Sequence, residues 1–420
     1  MKFLKLSSLL LLFTLTSLGL NAQNNTSTIS QSGDANAALV NQAGALNGSD
    51  VEQVNGDNSA TVDQTGEENT STVFSRTYGS DVNTVDVDQI GDLNMSDVGQ
   101  NNGNNDASVY QEGNENTSIA RQTNRNNLAN IDQIGNTNSS DSRVFGGNSS
   151  HTVYQEGNGN SFTGLSTGAG SNTISVSQVG SNNDAGQLPL WANTRGVEQD
   201  GESNEVTINV AGNDNSTYSS QLGNMNTDNT SWTGDGNSSI VNQDGNSNEV
   251  FIGGGNYSAT SLNTVDFDQY GDDNYLETQI NRSGSNDVTA IQDGNNNYHR
   301  VGIKGGSNIV EISASGNGNR GSWSVAESGS GIPLADMNML DLDQSGNTNY
   351  ATGVLNGDSN DVEITQNGDG NRVGTSWYTS DGVNIDGDMN DVDVMQNGQT
   401  HSSLNTISGN SNSIMVNQSN

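Results

Sequence analysis

Twenty glutamines, from Gln31 to Gln418, each close the same seven-residue phrase. The phrase reads Asn, any residue, a small or apolar residue, any residue, an apolar residue, any residue, Gln. Its two fixed polar side chains are carboxamides, which donate and accept hydrogen bonds at once. Identical amides stacked at a fixed spacing bond to one another, so a buried polar position becomes tolerable. That is ladder chemistry rather than turnover. The three histidines, His151, His299 and His401, stand far apart in sequence, poor spacing for a metal centre. With no cysteine there is no thiolate ligand or nucleophile. Asp and Ser recur throughout the repeats without a distinct nucleophile–base pair. The sequence predicts no catalytic residue, no cofactor and no metal site.

The elements that must carry these amides follow from the phrase itself. With Asn as slot 0, slots 2, 4 and 6 share one face of a strand, and slots 1, 3 and 5 share the other. Slot 0 is Asn in nineteen phrases and Ser149 in one. Slot 4 is Val, Ile, Leu or Phe in seventeen. Slots 2 and 4 contain no acid, whereas slots 1, 3 and 5 contain eighteen, among them Asp63, Asp86, Asp88, Asp341 and Asp393. A helix does not sort acid from apolar at period two. Two residues after each Gln stands Gly in sixteen cases and Asn in four, the residues that tolerate positive φ in a tight turn. Strand plus turn makes eleven residues, and two such units make a coil of about 22. The expected fold is all-β: a two-sheet β-solenoid of strand-turn-strand-turn coils. Roughly 17 coils at about 4.8 Å would form a rod about 80 Å long.

Composition alone points elsewhere. Only 29% of residues are hydrophobic and the net charge is −37, values typical of disorder. The fixed period lets so polar a chain bury anything at all. Residues 1–22 stand apart: Lys2 and Lys5 precede an apolar run to Leu20, which reads as a secretory signal peptide. Residues 23–420 read as one repeat domain. Breaks in the repeat fall near 76–82, 185–190, 321–335 and 378–388, two of them holding the only prolines, Pro189 and Pro333. Neither end shows a capping segment, which predicts open strand edges fit for end-to-end addition. With 49 acids against 12 basic residues, nucleic acid is an unlikely partner, and no segment beyond residue 22 suits membrane insertion.

The spacing Gln, Gly, Asn, Ala, Gln in Gln31-Gly33-Asn36-Ala38-Gln42 resembles the curlin repeat family, the subunits of curli. So do Gln53, Asn58, Ala60 and Gln64, and Gln122, Asn127, Ala129 and Gln133, with Asn55 and Asn124 in the glycine place. The resemblance runs over nearly the whole of residues 23–420. It implies secretion, self-assembly into extracellular amyloid fibres of bacterial biofilms, and roles in adhesion and aggregation. It also implies other curlin-like subunits and a curli-type outer-membrane secretion channel as partners, and a Gram-negative-type cell surface. The chain departs from the family in its length and in having only Gln23 and Asn24 ahead of the first phrase, where the family carries a Gly-rich segment.

The positions expected to form ladders and to support assembly are Asn36 and Gln42, Asn58 and Gln64, Asn83 and Gln89, Asn105 and Gln111, Asn127 and Gln133, Asn172 and Gln178, Asn263 and Gln269, Asn360 and Gln366, Asn390 and Gln396, and Asn412 and Gln418. The expected turn glycines are Gly33, Gly66, Gly91, Gly135, Gly180, Gly245, Gly346 and Gly368. Trp232 and Trp377 occupy glutamine slots, and Asp228 an inward one. Two rival readings share the solenoid: a non-polymerising surface adhesin, and a calcium-stabilised repeat suggested by acidic turns such as Gly271-Asp272-Asp273.

Overall fold

The computed structural model describes residues 24–420 except 79–80, 168–171, 188–193, 213, 255–261, 282–283, 326–335 and 376–381. The expected signal peptide, Pro189, Pro333 and Trp377 lie outside the described residues. Among the described residues every regular element is a strand, and every strand pairing is parallel. Strands alternate between two sheets. The first sheet takes Thr26–Ser32, Gly48–Val54, Thr70–Arg76 and so on. The second takes Ala37–Ala45, Asn58–Glu67, Asn83–Ile90 and onward to Ser413–Ser419. Seventeen strands follow one another in the second sheet. Sixteen steps at about 4.8 Å make a rod of roughly 77 Å.

The stacking keeps phase across insertions. Most partners are 22 residues apart, as Met95 with Thr117. Asn58 pairs with Asn83, Ser238 with Thr264 and Asp361 with Asp391, offsets of 25, 26 and 30, yet each slot still meets its own kind. Extra residues leave the stack between strands, because a one-residue slip would exchange the two faces. Three of the breaks expected from sequence are shorter than they read. Asp184–Gln187, Arg320–Val325 and Val383–Asp386 are paired strands, so the interruptions begin after or end before them.

Burial follows the slots. The strand Asp391–Asn397 alternates exposed or half-exposed Asp391, Asp393 and Met395 with buried Val392, Val394 and Gln396. The core is a narrow seam of Val and Ile between the sheets, for example Val62, Val87, Val109 and Ile131, all at most 1% exposed. Turns need glycine for two reasons. Gly44, Gly66, Gly91, Gly113 and Gly135 have φ between 106 and 126°, and a Cβ on Gly91 would stand 2.0 Å from the carbonyl oxygen of Gly113 in the next coil. Glycine stacks on glycine because only hydrogen fits between the coils. Two residues later the chain again enters the left-handed region with ordinary side chains, as at Glu68, Leu93 and Thr137. Each such residue donates its N–H to the previous coil, Leu93 to Glu67 O at 2.9 Å and Thr137 to Asn114 O at 2.9 Å. Those bonds offset a strain of about 1–2 kcal/mol per residue.

Val394 and Asp393 are neighbours on opposite faces and give a direct check. Val394→Asp sets a carboxylate between Ile364 and Val416 without a cation, and is expected to destabilise the fold by more than about 3 kcal/mol. Asp393→Asn is expected to change stability by no more than about 0.5 kcal/mol. Urea unfolding followed by circular dichroism measures both, and equal effects would contradict the assignment of faces.

Candidate functional site: the coil-to-coil amide ladders

All twenty ladder positions expected from sequence stand in the second sheet, on its inner side. Gln42, Gln64, Gln89, Gln111, Gln133 and Gln155 pass one chain of bonds, each Nε2 donating to the Oε1 one coil on at 2.8 Å. The second amide hydrogen goes across to the first sheet, as Gln64 Nε2 to Gly48 O at 3.0 Å and Gln111 Nε2 to Met95 O at 3.1 Å. Both donors are satisfied, so a side chain that is 0–1% exposed carries little burial penalty. The run continues through Gln178, Gln199, Gln221, Gln243 and Gln269 to Gln292. It resumes from Gln344 through Gln366 and Gln396 to Gln418.

Asparagine forms a second ladder where each strand begins. Asn58 donates Nδ2 to Asn36 Oδ1 at 2.8 Å, and the Asn105 and Asn127 N–H groups donate to Asn83 and Asn105 Oδ1 at 3.1 Å. Asn83 Nδ2 donates to Arg76 O at 3.0 Å. Asn172 bonds Ser149 Oγ, where a hydroxyl replaces the amide. Asn263, Asn360, Asn390 and Asn412 each donate to the asparagine before them at 2.9–3.0 Å. In the first sheet the same amide also ties down the turn: Asn94 Nδ2 donates to Gly113 O at 2.8 Å. The turn glycines Gly33, Gly66, Gly91, Gly135, Gly180, Gly245, Gly346 and Gly368 all have positive φ.

The first sheet explains why glutamines thin out after Gln155. It carries Gln31, Gln53, Gln100 and Gln122, with Ser75 between, and then changes to Val144, Ser166, Val210, Trp232, Ile280, Ile303, Val325 and Leu355 in the same slot. One ladder persists and the other becomes apolar.

The persistent ladder has one gap, at Ala314, and a histidine from the opposite sheet fills it. Gln292 Nε2 lies 2.9 Å from His299 Nδ1, and His299 Nε2 lies 2.9 Å from Gln344 Oε1. Donors run one way along the ladder, so Nδ1 accepts and Nε2–H donates: the neutral imidazole relays the bond. Burial pushes His299 down to about 4, against a smaller opposing effect of its bond to Gln344, so it is neutral at pH 7. Its ring occupies the space over Gly321, where a Cβ would approach His299 Cδ2 to 2.5 Å. Ala314, His299 and Gly321 are thus one compensated set. The sequence places His299 inward but does not show this pairing, because Ala314 has lost the glutamine that marks the ladder. His151 bonds Ser142 and Ser166 instead, and His401 lies near Asn397 O.

A second departure is Asp228, 0% exposed in a column between Val206 and Val250. Oδ1 accepts from Thr230 Oγ1 at 2.8 Å, and no cation faces it among the described ion pairs. Burial pushes its carboxyl up to about 6, with the nearby Ser219 hydroxyl and the Thr230 hydrogen bond opposing. On the outer face of the second sheet, Glu311, Asp341, Glu363 and Asp393 form a column on four successive coils. Partial burial raises Asp341, and Glu311 and Glu363 raise it further. Among the described residues no three His, Cys, Asp or Glu side chains are arranged to hold a metal ion.

Two predictions follow from these substitutions. His299→Ala leaves Gln344 Oε1 without its donor and Gln292 with one donor unused, at a cost of about 2–4 kcal/mol; adding Ala314→Gln restores a ladder amide and is expected to recover at least about 1 kcal/mol. A double variant no more stable than His299→Ala in urea titration would contradict the relay. For Asp228 the folded value of about 6 exceeds the ordinary 3.8, so the folded state binds the proton more tightly. Stability is highest below about pH 4 on this account, falls as pH rises to about 6, and is flat above, a loss of roughly 3 kcal/mol. Asp228→Val, matching its column, is expected to stabilise at pH 7 more than at pH 4. A gain independent of pH would show that ionisation is not the cause.

A family model described as the curlin associated repeat matches residues 83–113, 104–135 and 336–368. Each match spans three strands and begins and ends on a second-sheet strand, where the glutamine ladder lies. No curated protein matches the sequence. The matched phrases and the unmatched ones between them share a single register and a single glutamine ladder, so the chain contains curlin associated repeats, each matched stretch a run of three strands in its solenoid.

Proposed function

We propose that the chain is a secreted, non-enzymatic structural protein of a bacterial cell surface that self-assembles by β-strand addition into curli-like amyloid fibres, serving biofilm matrix, adhesion and aggregation. The supporting observation is that the second-sheet ladders repeat with the same groups, spacing and direction from coil to coil, save at Ala314 and Ser149. A coil offers the next a glutamine Nε2–H, an asparagine Oδ1 and a row of strand N–H and C=O groups, and receives the matching set. A coil of another copy meets those groups as readily as a coil of the same copy, with identical spacing and direction. The partner is therefore first of all the chain itself. Other curlin-like subunits with the same phrase fit the same edge, and a curli-type channel is the expected export route. The acids on the outer faces act as solubilising charge and slow pairing before export.

Purified chain lacking residues 1–22 tests this reading. It is expected to form fibres that bind amyloid dyes and diffract near 4.8 Å along the axis and about 10 Å across it. Growth is expected to quicken as pH falls toward the sequence pI of about 4.1, since burial first and neighbouring carboxylates second raise Asp86, Asp88, Asp266, Asp341 and Asp361, and those carboxylates repel most when ionised. Rods that stay monomeric over days at high concentration would favour the adhesin reading. A saturable micromolar calcium effect, absent in sodium of equal ionic strength, would favour the calcium-stabilised one.

A further inference from the structure

The two outer faces of the rod are electrically unlike. On the second sheet the outward slots carry acids and, among the described residues, no cation. The cations of the first-sheet strands are Arg76, Arg121 and Arg143 toward one end and Arg300, Lys304, Arg320 and Arg372 toward the other. Toward the first of these ends Arg121 is paired with Asp97 and Arg143 with Asp141 at 2.7 Å within their own sheet, and Arg76 lies 5.4 Å from the Phe74 ring centroid. Toward the other end Arg300 pairs with Glu277 one coil back at 3.2 Å, and the four cations still outnumber the two first-sheet strand acids, Glu277 and Asp386. The first-sheet strands Tyr298–Lys304, Arg320–Val325, Tyr350–Asn356, Arg372–Val373 and Val383–Asp386 hold four cations and one acid, Asp386. The second-sheet strands of the same coils, Ile309–Ser315, Met339–Ser345, Asp361–Asn367 and Asp391–Asn397, hold seven acids and no cation.

Aromatic rings brace the cationic patch. Tyr275, Tyr298, Arg320, Tyr350 and Arg372 occupy one outward column on successive coils. The Tyr275 and Tyr298 rings stack at 4.6 Å and 3°, and the Arg372 guanidinium sits 5.5 Å from the Tyr350 ring centroid. A guanidinium held on a ring loses less freedom when it docks. Arg300, Lys304, Arg320 and Arg372 are all exposed. The stacked rings cover one another's faces, which leaves charge, not ring surface, as what the patch offers.

We propose that this arginine-bearing face is a side-by-side docking surface for a second copy of the chain, and that it receives the acidic second-sheet face of that copy. Three observations single out this partner. The complementary charge is on the same molecule, in the same coils. The pitch matches: Arg320 and Arg372 are two coils apart, about 9.6 Å, and the column Glu311, Asp341, Glu363, Asp393 offers a carboxylate at every coil, so alternate acids meet an arginine. Both faces belong to sheets, and sheets pack face to face about 10 Å apart. The contact sets lateral register and polarity more than it supplies affinity, because desolvating ion pairs offsets much of their attraction. It holds whether or not rods also join end to end, so its failure is separable from failure of the fibre reading.

Salt dependence identifies it. The whole rod is strongly negative, and at about 0.01 M salt a screening length of roughly 30 Å lets rod-wide repulsion dominate. Near 0.1 M the length is about 10 Å, and only the facing charges count. Near 1 M it is about 3 Å, and the pairing is screened as well. Lateral association is expected to peak near 0.1 M, unlike the steady rise with salt of a purely apolar contact. The experiment reads mass per unit length by small-angle scattering for the chain, for Arg300→Glu/Arg320→Glu/Arg372→Glu, for Glu311→Lys/Glu363→Lys/Asp393→Lys, and for an equimolar mixture of the two variants, each checked for strand content by circular dichroism. The chain is expected to show at least a twofold rise near 0.1 M, each variant alone the single-rod value, and the mixture a return to the twofold value. Unchanged pairing in either variant, or no recovery in the mixture, overturns the proposal. Rods that stay single at every salt but bind duplex DNA or polyglutamate through the three arginines would assign the face to a polyanion and overturn it equally.

Discussion

A carboxamide between two sheets is unfavourable unless another carboxamide lies one coil away. That constraint organises the molecule. Gln111 is fully buried, and its two amide hydrogens go to Gln133 Oε1 and Met95 O. Neither bond survives if the coils slip by one residue, since the glutamine would then face water. Register, parallel pairing and a fixed coil length all follow from keeping these amides over one another. The Val and Ile seam beside them supplies hydrophobic burial, but it is non-directional and would tolerate other alignments. The ladders supply direction.

The same constraint explains what the fold permits elsewhere. Insertions are extruded between strands, so Asp361 stacks on Asp391 across thirty residues without disturbing the amides Gln366 and Gln396. The first sheet loses its ladder glutamines after Gln122, while the second keeps its run to Gln292. Where that run fails, at Ala314, His299 crosses from the other sheet to carry the bond. Asp228 marks the opposite case, a buried polar group with a hydroxyl partner in place of a ladder, and its carboxyl is held well above the ordinary carboxylate range.

Much of this is readable from residue order. Period-two sorting of acid from apolar residues sets the strands, and glycine or asparagine two residues past glutamine sets the turns. The 22-residue coil already sets Gln42 over Gln64 and Gln31 over Gln53 in separate ladders, while the direction of the amide bonds along each is not readable from residue order. The left-handed backbone at Glu68 and Leu93 is invisible because neither residue prefers it; the bond to the preceding coil enforces it. The His299 relay involves residues 292, 299, 314 and 344, which meet only once the coils are stacked. The division of charge between faces is likewise hidden, since cations and acids alternate along the chain and separate only when alternate strands are assigned to opposite sheets.

Buried glutamine amides bonded from coil to coil hold the stack in register, and side-chain amide hydrogen exchange measures that state. Nuclear magnetic resonance of the assembled or monomeric chain resolves glutamine Nε2 protons residue by residue. Gln64, Gln111 and Gln366 are expected to exchange about as slowly as the backbone amides of Val62, Val109 and Ile364 beside them, while exposed Gln399 exchanges at the rate of a free amide. Exchange of Gln111 and Gln366 at the rate of Gln399 would contradict it.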